Sequence, residues 1–242
     1  EGNGFLADYL RGQVNSHVLT GYTLRSIVKE KTGYKLYFTN YLQEKPVCIR
    51  AKNIVFSAPK FILPYVYPEL KKDKKEALHS FAYSPWMTAN ILVNHFAEEE
   101  PAWDNVTFAS KSLGYVVAEH QKIGKLPHAR TLTFFHAFDE DDTLHSRRKL
   151  LSMREGEAIE FILRELEVPH PNIRENIEEV GVYRWAHAMV RPVPGFISGE
   201  GVRLLDKIDT NFFAAHSDLS GMSNFEEAQY RGVIAAKKVL NT

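Results

Sequence analysis

The carboxyl-terminal part of the chain has the residue order of a strand, a polar loop and a helix. Asn211 to Ala215 is an apolar run that predicts a buried strand, and Phe225 to Leu240 is an alanine-rich run that predicts a helix. His216 to Asn224, between them, is a loop of small and polar residues. The first N–H groups of a helix have no partner within it and carry the positive end of its dipole. We therefore expect this junction to face an anion or a polarised ring.

A second group of residues that could take part in chemistry lies on the strand predicted over Ile177 to Ala188 and in the loop after it. Alternation along a strand places Trp185 and His187 on one side, and Arg191 begins the loop that follows. These three residues could act together as a functional set. A half-buried strand with a hydrogen-bonded histidine has the same pattern, so the residues alone leave both interpretations open.

The histidine pattern does not predict a metal site. His120, His128 and His136 recur at a spacing that fits neither a helical turn nor a local loop, and no cysteine or carboxylate cluster completes a ligand set. The single cysteine, Cys48, cannot form an internal disulfide or a multi-cysteine centre. We expect no bound metal.

The first part of the chain predicts a helix and then a β-meander. The apolar residues between Asn3 and Asn15 have helical spacing. β-Branched and aromatic residues then alternate with polar ones, and a proline stops the last strand at Ser57-Ala58-Pro59. The predicted strands are Val18 to Tyr22, Leu24 to Glu30, Tyr34 to Asn40, Val47 to Arg50 and Asn53 to Ser57.

The middle of the chain predicts helices mixed with longer strands. A helix is expected over Lys71 to Phe81, and the longest helix over Thr143 to Glu167, where Pro169 ends the pattern. The strands expected in this part are Met87 to Val93, Tyr115 to Glu119 and Thr131 to Phe138, in addition to Ile177 to Ala188.

The composition is that of a globular chain with a balanced charge. The 242 residues include 30 Lys and Arg against 30 Asp and Glu, so no basic field favours a nucleic-acid partner. No apolar run reaches the roughly 18 residues of a membrane-spanning helix. We expect a soluble protein without a transmembrane segment, in the cytoplasm or periplasm.

Three motifs together resemble the flavin-containing amine oxidase family. They are Gly2-Asn3-Gly4-Phe5-Leu6 before a helix, Ile54-Val55-Phe56-Ser57-Ala58-Pro59 at the end of a meander, and the closing segment from Phe213 to Ala236. The resemblance covers the chain in order and implies an α/β (α+β) fold. It implies part of an FAD-binding domain with the β-meander in residues 1–60 and 203–242, and a substrate domain with a mainly antiparallel sheet and helices in residues 61–202.

The resemblance also implies which residues hold the cofactor. Asp218 matches an acidic residue near the ribityl and phosphate region of FAD, on a surface loop with little packing of its own. The main-chain N–H groups of Phe225 and Glu226 match those at the flavin pyrimidine edge, and Val18 matches a residue that brackets the adenine. In that architecture Trp185, His187 and Arg191 approach the flavin, and a small amine is the expected substrate.

The resemblance extends to a carboxyl-terminal portion only. No G-x-G-x-x-G follows a strand in this sequence, so we expect a fragment that lacks the preceding FAD-binding segment, retains little FAD and is inactive alone. The family's hydride transfer from substrate carbon to flavin N5 would then belong to the parent protein. Many family oxidases carry a lysine on the first long substrate-domain strand, and Thr88 to Val93 has none, so oxidase and dehydrogenase chemistry both stay open. A non-catalytic fragment or interaction module that binds no cofactor is the alternative.

Overall fold

The structure, a computed structural model, describes residues 2–96, 102–108, 110–118, 129–138 and 142–242. The chain divides into two units, one formed by Glu1–Phe81 with Val190–Thr242 and the other by Ala82–Met189. Helices accompany sheets that are mainly antiparallel, which confirms the predicted fold class. Among the described residues, no helix combines the length and apolar character needed to cross a membrane.

The boundaries of these units differ from those predicted for the domains. The prediction ended the first domain at residue 60 and resumed it at 203, whereas the structure also places Phe61 to Phe81 and Val190 to Val202 in the first unit. The rings of Phe81 and Phe196 pack edge to face at 5.0 Å, so these two added segments contact each other. The assignment of the units to an FAD-binding and a substrate domain remains a prediction.

The first unit begins with the helix α1 (Gly2–Val14) and a meander. The meander is an antiparallel sheet of β1 (Tyr22–Glu30), β2 (Gly33–Asn40) and β3 (Lys45–Ala51). The predicted strand Val18 to Tyr22 is wrong, because Asn15–His17 forms a 3-10 turn and Gly21 adopts a left-handed φ of 79° directly before β1.

A second, mixed sheet brings distant parts of the first unit together. β4 (Ile54–Phe56) pairs in parallel with β11 (Phe212–Ala214), and β10 (Lys207–Asp209) pairs antiparallel with β11. The other α-helices described in this unit are α2 (Leu63–Val66), α3 (Lys72–Ala77), α6 (Glu200–Asp206) and α7 (Phe225–Leu240). The last of these packs on β11 through Ala235 and Val239, which contact Phe213 and Ala215.

Phe212 is the centre of the aromatic core of this unit. Its ring contacts the rings of Tyr34, Phe56 and Tyr67 at centroid distances of 5.5, 6.2 and 5.3 Å. All four side chains are buried. Because Tyr34 belongs to the meander and Phe56 to β4, this cluster joins the two sheets of the unit.

The second unit is a five-stranded sheet covered on one face by helices. Its strand order is β6-β7-β8-β5-β9, where β5 is Tyr83–Val93, β6 is Asp104–Asn105, β7 is Gly114–Val117, β8 is Arg130–Ala137 and β9 is Ile177–Val190. Met87, Ala89 and Ile91 of β5 are fully buried, in one cluster with Leu150 and Ile162 of the helices.

The predicted helix Thr143 to Glu167 is wrong as a single element. The structure has α4 (Thr143–Ser152) and α5 (Glu155–Glu167), because Met153 and Arg154 are extended. Glu157 accepts the main-chain N–H of Arg154 at 2.8 Å, which caps α5 separately. Helical spacing continues across the break, so it did not reveal the break. The predicted end of the strand at Glu119 lies outside the described residues.

Asp209 is the polar anchor of the first unit. Its carboxylate accepts from Lys29 Nζ at 2.8 Å and from the Tyr67 hydroxyl at 2.7 Å, and its side chain is only 8% exposed. Burial opposes ionisation, but these bonds outweigh it and lower the pKa of Asp209 to about 2. The buried carboxylate therefore links β1 to the segment that carries Tyr67.

We predict that Asp209→Asn lowers the free energy of unfolding at pH 7 by about 1 to 3 kcal/mol, because it weakens two bonds of a buried group. A carboxyl with a depressed folded-state pKa stabilises above its unfolded value of 3.8 and loses that effect as the pH falls toward 2. The difference between wild type and variant should therefore shrink between pH 4 and pH 2, as measured by denaturant unfolding.

Asp206→Asn is the matched control, because the Asp206 and Lys238 side chains are 31% and 32% exposed. A half-exposed pair contributes about 1 kcal/mol or less. Equal losses in the two variants would contradict the role given to Asp209.

Candidate functional site

The carboxyl ends of β4 and β11 lie side by side because the two strands are parallel. In sheets of this kind, ligands bind outside the carboxyl ends of the strands. β4 is followed by Ser57-Ala58-Pro59-Lys60, and β11 is followed by Ala215, His216 and a 3-10 turn at Ser217–Ser220. The Ala215 N–H donates to Phe56 O at 2.9 Å, so the two chain segments leave the sheet together. We name this place the carboxyl edge.

Asp218 joins the two segments of the carboxyl edge. Its Oδ2 accepts the main-chain N–H of Lys60 at 3.0 Å, across 158 residues of sequence, and its Oδ1 lies 3.1 Å from His216 Nδ1. Asp218 is 2% exposed, and the rest of its turn is buried as well. The expectation of a surface loop with little packing is therefore wrong. A contact so distant in sequence leaves no local pattern by which burial could be predicted.

Lys60 is a buried cation beside this carboxylate. Its side chain is 0% exposed, its Nζ donates to Ala58 O at 3.2 Å, and Nζ lies 5.3 Å from the centre of the Phe56 ring. Burial lowers the pKa of Lys60 to about 8, and the charge of Asp218 opposes that shift. Lys60 was not predicted from the sequence, because a lysine after a proline is a usual feature of exposed loops.

The start of α7 presents the main-chain groups predicted to bind a cofactor. The Asn224 side chain accepts the Glu227 N–H at 2.9 Å and caps the helix. Phe225 is half-buried and Glu226 is exposed. Their N–H groups occupy the first positions of the helix, where no partner is available within it. Glu226 and Glu227 add two negative charges in the first turn, which oppose a bound anion.

Gly221 is required between Asp218 and α7. Its φ is 69°, a left-handed conformation, and an added Cβ would lie 3.3 Å from the Phe196 ring and from Pro192. This glycine lets the chain turn from the 3-10 segment toward the helix.

Val18 lies outside the meander, in contrast to its predicted place at the start of a strand. It is 38% exposed, and its N–H donates to Asn15 O at 3.2 Å. A contact from its main chain to an adenine would therefore have to use the carbonyl group.

The structure divides the set Trp185, His187 and Arg191 between the two units. Trp185 is 51% exposed and its indole N–H donates to Thr88 Oγ1 at 3.0 Å. The His187 ring packs edge to face against Tyr83 at 5.9 Å, and burial, with the charge of Arg147 second, lowers its pKa. Arg191 lies in the first unit, where its carbonyl accepts the N–H of Val193 at 2.9 Å.

Trp185 belongs to a group of side chains on one face of the sheet, and this group was not predicted from the sequence. Side chains alternate along a strand, so the neighbours of the buried Met87, Ala89 and Ile91 on β5 point to the other face of the sheet. We give the name aromatic face to six residues on that side, which are Trp86, Thr88 and Asn90 on β5, Phe135 on β8, and Tyr183 and Trp185 on β9. Alternation within each predicted strand indicates which residues lie on the same side of that strand. The order of the strands in the sheet was needed to combine residues of different strands into one face.

The rings of the aromatic face form two nearly parallel pairs, one between β5 and β8 and the other on β9. Trp86 and Phe135 have centroids 6.4 Å apart at an interplanar angle of 15°, and Tyr183 and Trp185 have centroids 6.3 Å apart at 18°. Thr88 stands opposite Phe135 in the β5–β8 register and accepts from Trp185 on β9. A short hydroxyl side chain is thus flanked by rings on both neighbouring strands.

The described residues contain no group of three or more His, Cys, Asp or Glu side chains placed to hold a metal ion. Of the three regularly spaced histidines, His136 is described and packs against Phe138 and Phe161. His120 and His128 lie outside the described residues.

Solved structures of two amine oxidases share this architecture. Wild-type putrescine oxidase bound to putrescine matches with a TM-score of 0.65 and 12% identity, over 91% of this chain and 49% of that one. Cyclohexylamine oxidase from Brevibacterium oxydans IH-35A matches with a TM-score of 0.69 and 14% identity, over 95% and 50%. The chain therefore shares its fold with about half of each of these two structures.

The same fold also carries a different activity. A fatty acid isomerase from P. acnes matches with a TM-score of 0.59 and 14% identity, over 89% of this chain and 47% of that one. The chain spans about half the length of each of these three structures. No protein-family model and no curated protein sequence matches it.

We predict that Lys60 gives the stability of the chain a pH dependence in the alkaline range. The folded-state pKa of about 8 lies below the ordinary value of 10.5, so the unfolded state binds more protons between these values. The free energy of unfolding of wild type should therefore rise relative to Lys60→Met as the pH increases from 8 to 10.5, by about 1 to 3 kcal/mol.

Denaturant unfolding across this range measures the difference, and Lys72→Met is the control because the Lys72 side chain is 91% exposed. Parallel pH profiles for wild type and Lys60→Met would contradict the burial of a titrating ammonium at the carboxyl edge.

Proposed function

We propose that the chain is the carboxyl-terminal portion of an FAD-dependent oxidoreductase of amine oxidase type. The observation that carries this proposal is the carboxyl edge, where parallel strands end together and α7 begins shortly after. This is the arrangement at which parallel sheets bind dinucleotides. The fold similarity to putrescine oxidase and cyclohexylamine oxidase supports an amine as the substrate.

The start of α7 fits a flavin. The Phe225 and Glu226 N–H groups are donors at a positive helix end, which suits the negative charge that a reduced flavin acquires at its pyrimidine edge. When bound, the flavin would accept the hydride equivalent from the substrate carbon next to nitrogen. The chain's own contribution is to orient these donors, through the cap that Asn224 provides.

The role that we propose for Asp218 differs from the predicted direct contact with the cofactor. Its side chain is turned toward Lys60 N and His216 and is buried, so it does not present an open acceptor to a ligand. We assign it the role of holding the turn Ser217–Ser220 against the end of β4. The turn then fixes the direction in which the chain enters α7.

The alternative is a chain of this fold that binds no cofactor. Glu226 and Glu227 favour it, since two carboxylates in the first turn of α7 oppose an electron-rich ligand. The proposed function and the alternative both predict that the isolated chain retains little or no FAD, because the proposal assigns part of the cofactor site to a preceding segment. An absence of FAD from the isolated chain therefore does not distinguish them.

We predict that the complete product of the gene retains FAD and that Asp218→Asn weakens its retention by about 5- to 150-fold, because the loosened turn misplaces the first N–H groups of α7. The measurement is flavin absorbance after dialysis, alongside the far-ultraviolet circular dichroism of the same sample. The 242-residue chain alone should retain little or no FAD.

Asp206→Asn is the control, because Asp206 lies in the same unit and pairs with Lys238 on the surface. Full FAD occupancy in the Asp218→Asn protein, or a complete gene product without flavin, would contradict the proposal.

A further inference from the structure

We propose that the first unit binds the phosphate group of a small phosphorylated molecule in a cavity at the amino ends of β4 and β11. The cavity has a volume of about 560 Å³. We name it the amino-edge cavity. It lies at the other end of these two parallel strands from the carboxyl edge, so the inference goes beyond the proposed function and does not depend on it.

Three turns form the walls of the amino-edge cavity. They are Lys31-Thr32 between β1 and β2, Lys52 between β3 and β4, and Thr210-Asn211 between β10 and β11. Each turn comes from a different part of the first unit, and only the folded sheets bring them together.

Two hydrogen bonds hold these turns in place. The Tyr34 hydroxyl donates to the carbonyl of Thr210, which joins the meander to the β10–β11 turn. The Ile54 N–H donates to Asn211 O at 2.9 Å, which joins the same turn to the beginning of β4. Tyr34 lines the cavity and is 2% exposed. Because these bonds exist without a ligand, binding needs little further ordering of the chain.

Gly33 brings two lysines to the same cavity. Its φ is 116°, and an added Cβ would lie 3.2 Å from Lys52 Cα. A side chain at this position would therefore separate the β1–β2 turn from the segment that follows β3. Lys31 precedes Gly33 by two residues, so Lys31 and Lys52 both line the cavity.

The other charged groups that line the cavity have partners. Lys29 Nζ lies 2.8 Å from Asp209 Oδ1. The Glu30 carboxylate lies 2.6 Å from Lys35 Nζ and 3.6 Å from Arg50 Nε. Among the described lining residues, no carboxylate is therefore left uncompensated to repel an anion.

The Lys31 and Lys52 side chains give the cavity its positive charge. Within the described part of the chain, neither ammonium group has a hydrogen bond or an ion pair. Two such charges match a phosphate monoester, which carries between about −1.5 and −2 near neutral pH. A carboxylate would neutralise one of them.

The remaining lining groups suit the organic part of such a ligand. The Thr32 and Thr210 hydroxyls and the Asn211 amide can donate and accept hydrogen bonds. The volume lies within the range of small-molecule sites, so a phosphate leaves space for a polar body attached to it. Two cations in one cavity are few for a nucleic acid, which contacts proteins through many phosphates.

Amide NMR of the 242-residue chain tests this proposal without flavin. The probes are inorganic phosphate, glycerol 3-phosphate and acetate, each titrated at pH 8 with KCl added to keep the ionic strength constant. We expect phosphate to shift the amide signals of Lys31, Thr32, Gly33 and Asn211 saturably, with half-saturation at about 1 to 10 mM. Glycerol 3-phosphate should bind at least as tightly, and acetate should bind about tenfold more weakly.

Lys31→Met and Lys52→Met should each weaken phosphate binding by about 3- to 10-fold, because each removes one exposed cation. Lys52→Arg should restore binding to within about twofold, since it keeps the charge. Lys45→Met is the matched control, because Lys45 is an exposed lysine at the opposite end of β3 from Lys52.

Equal shifts with acetate and phosphate, or shifts that do not saturate, would overturn the proposal and indicate a general effect of anions. Equal losses in Lys45→Met and Lys52→Met would overturn it as well. Tighter binding of a short single-stranded oligonucleotide than of glycerol 3-phosphate would overturn it in favour of a nucleic acid. Flavin retention by the complete gene product is a separate readout, so it tests the proposed function independently of this cavity.

Discussion

The parallel pairing of β4 with β11 is the contact on which the proposed cofactor site depends. Each of these strands has three residues, and neither could be stable as an isolated strand. Their pairing is supported by the packing of Phe56 and Phe212 beneath it and of α7 against Phe213. Because the pairing is parallel, the chain leaves both strands at one edge, and only there can the segment after Pro59 meet the turn that contains Asp218.

The buried charges of Lys60 and Asp218 restrict how the segment after Pro59 can pack against the turn that contains Asp218. A carboxylate and an ammonium buried at the same edge are expensive to desolvate, so hydrogen bonds must compensate them. The Lys60 N–H and the Ala58 carbonyl supply such bonds, and both belong to the short segment after β4. A shift of that segment by one residue would remove the N–H donor from Asp218. The hydrogen bond from Lys60 N to Asp218 therefore links the segment after β4 to the turn that precedes α7.

The sequence predicted elements well where the signal is local. The helix Phe225 to Leu240 was correct in both bounds, and the strands of the meander were correct within a few residues, apart from Val18 to Tyr22. The break between α4 and α5 was missed because Leu144 and Leu151 continue an apolar spacing but are 46% and 52% exposed, while Leu150 is buried.

The sites were less predictable than the elements, since they depend on contacts distant in sequence. Asp218 was identified as a candidate from the sequence, but its contact with the main-chain N–H of Lys60 spans 158 residues and leaves no local signal of burial. Trp185 was recognised on its strand, yet its partner Thr88 is 97 residues away. Alternation tells which side of a strand a residue takes, whereas the order of the strands in the sheet decides which residues share a face.

Backbone amide NMR of the 242-residue chain, titrated with FAD at millimolar concentration, is the most direct measurement of the central claim. Weak binding at the carboxyl edge should shift the amide signals of Lys60, Asp218, Phe225 and Glu226, and Asp218→Asn should reduce those shifts while leaving the signals of β8 unchanged. Shifts confined to other parts of the chain, or equal shifts in wild type and Asp218→Asn, would contradict a cofactor site built on the ends of β4 and β11.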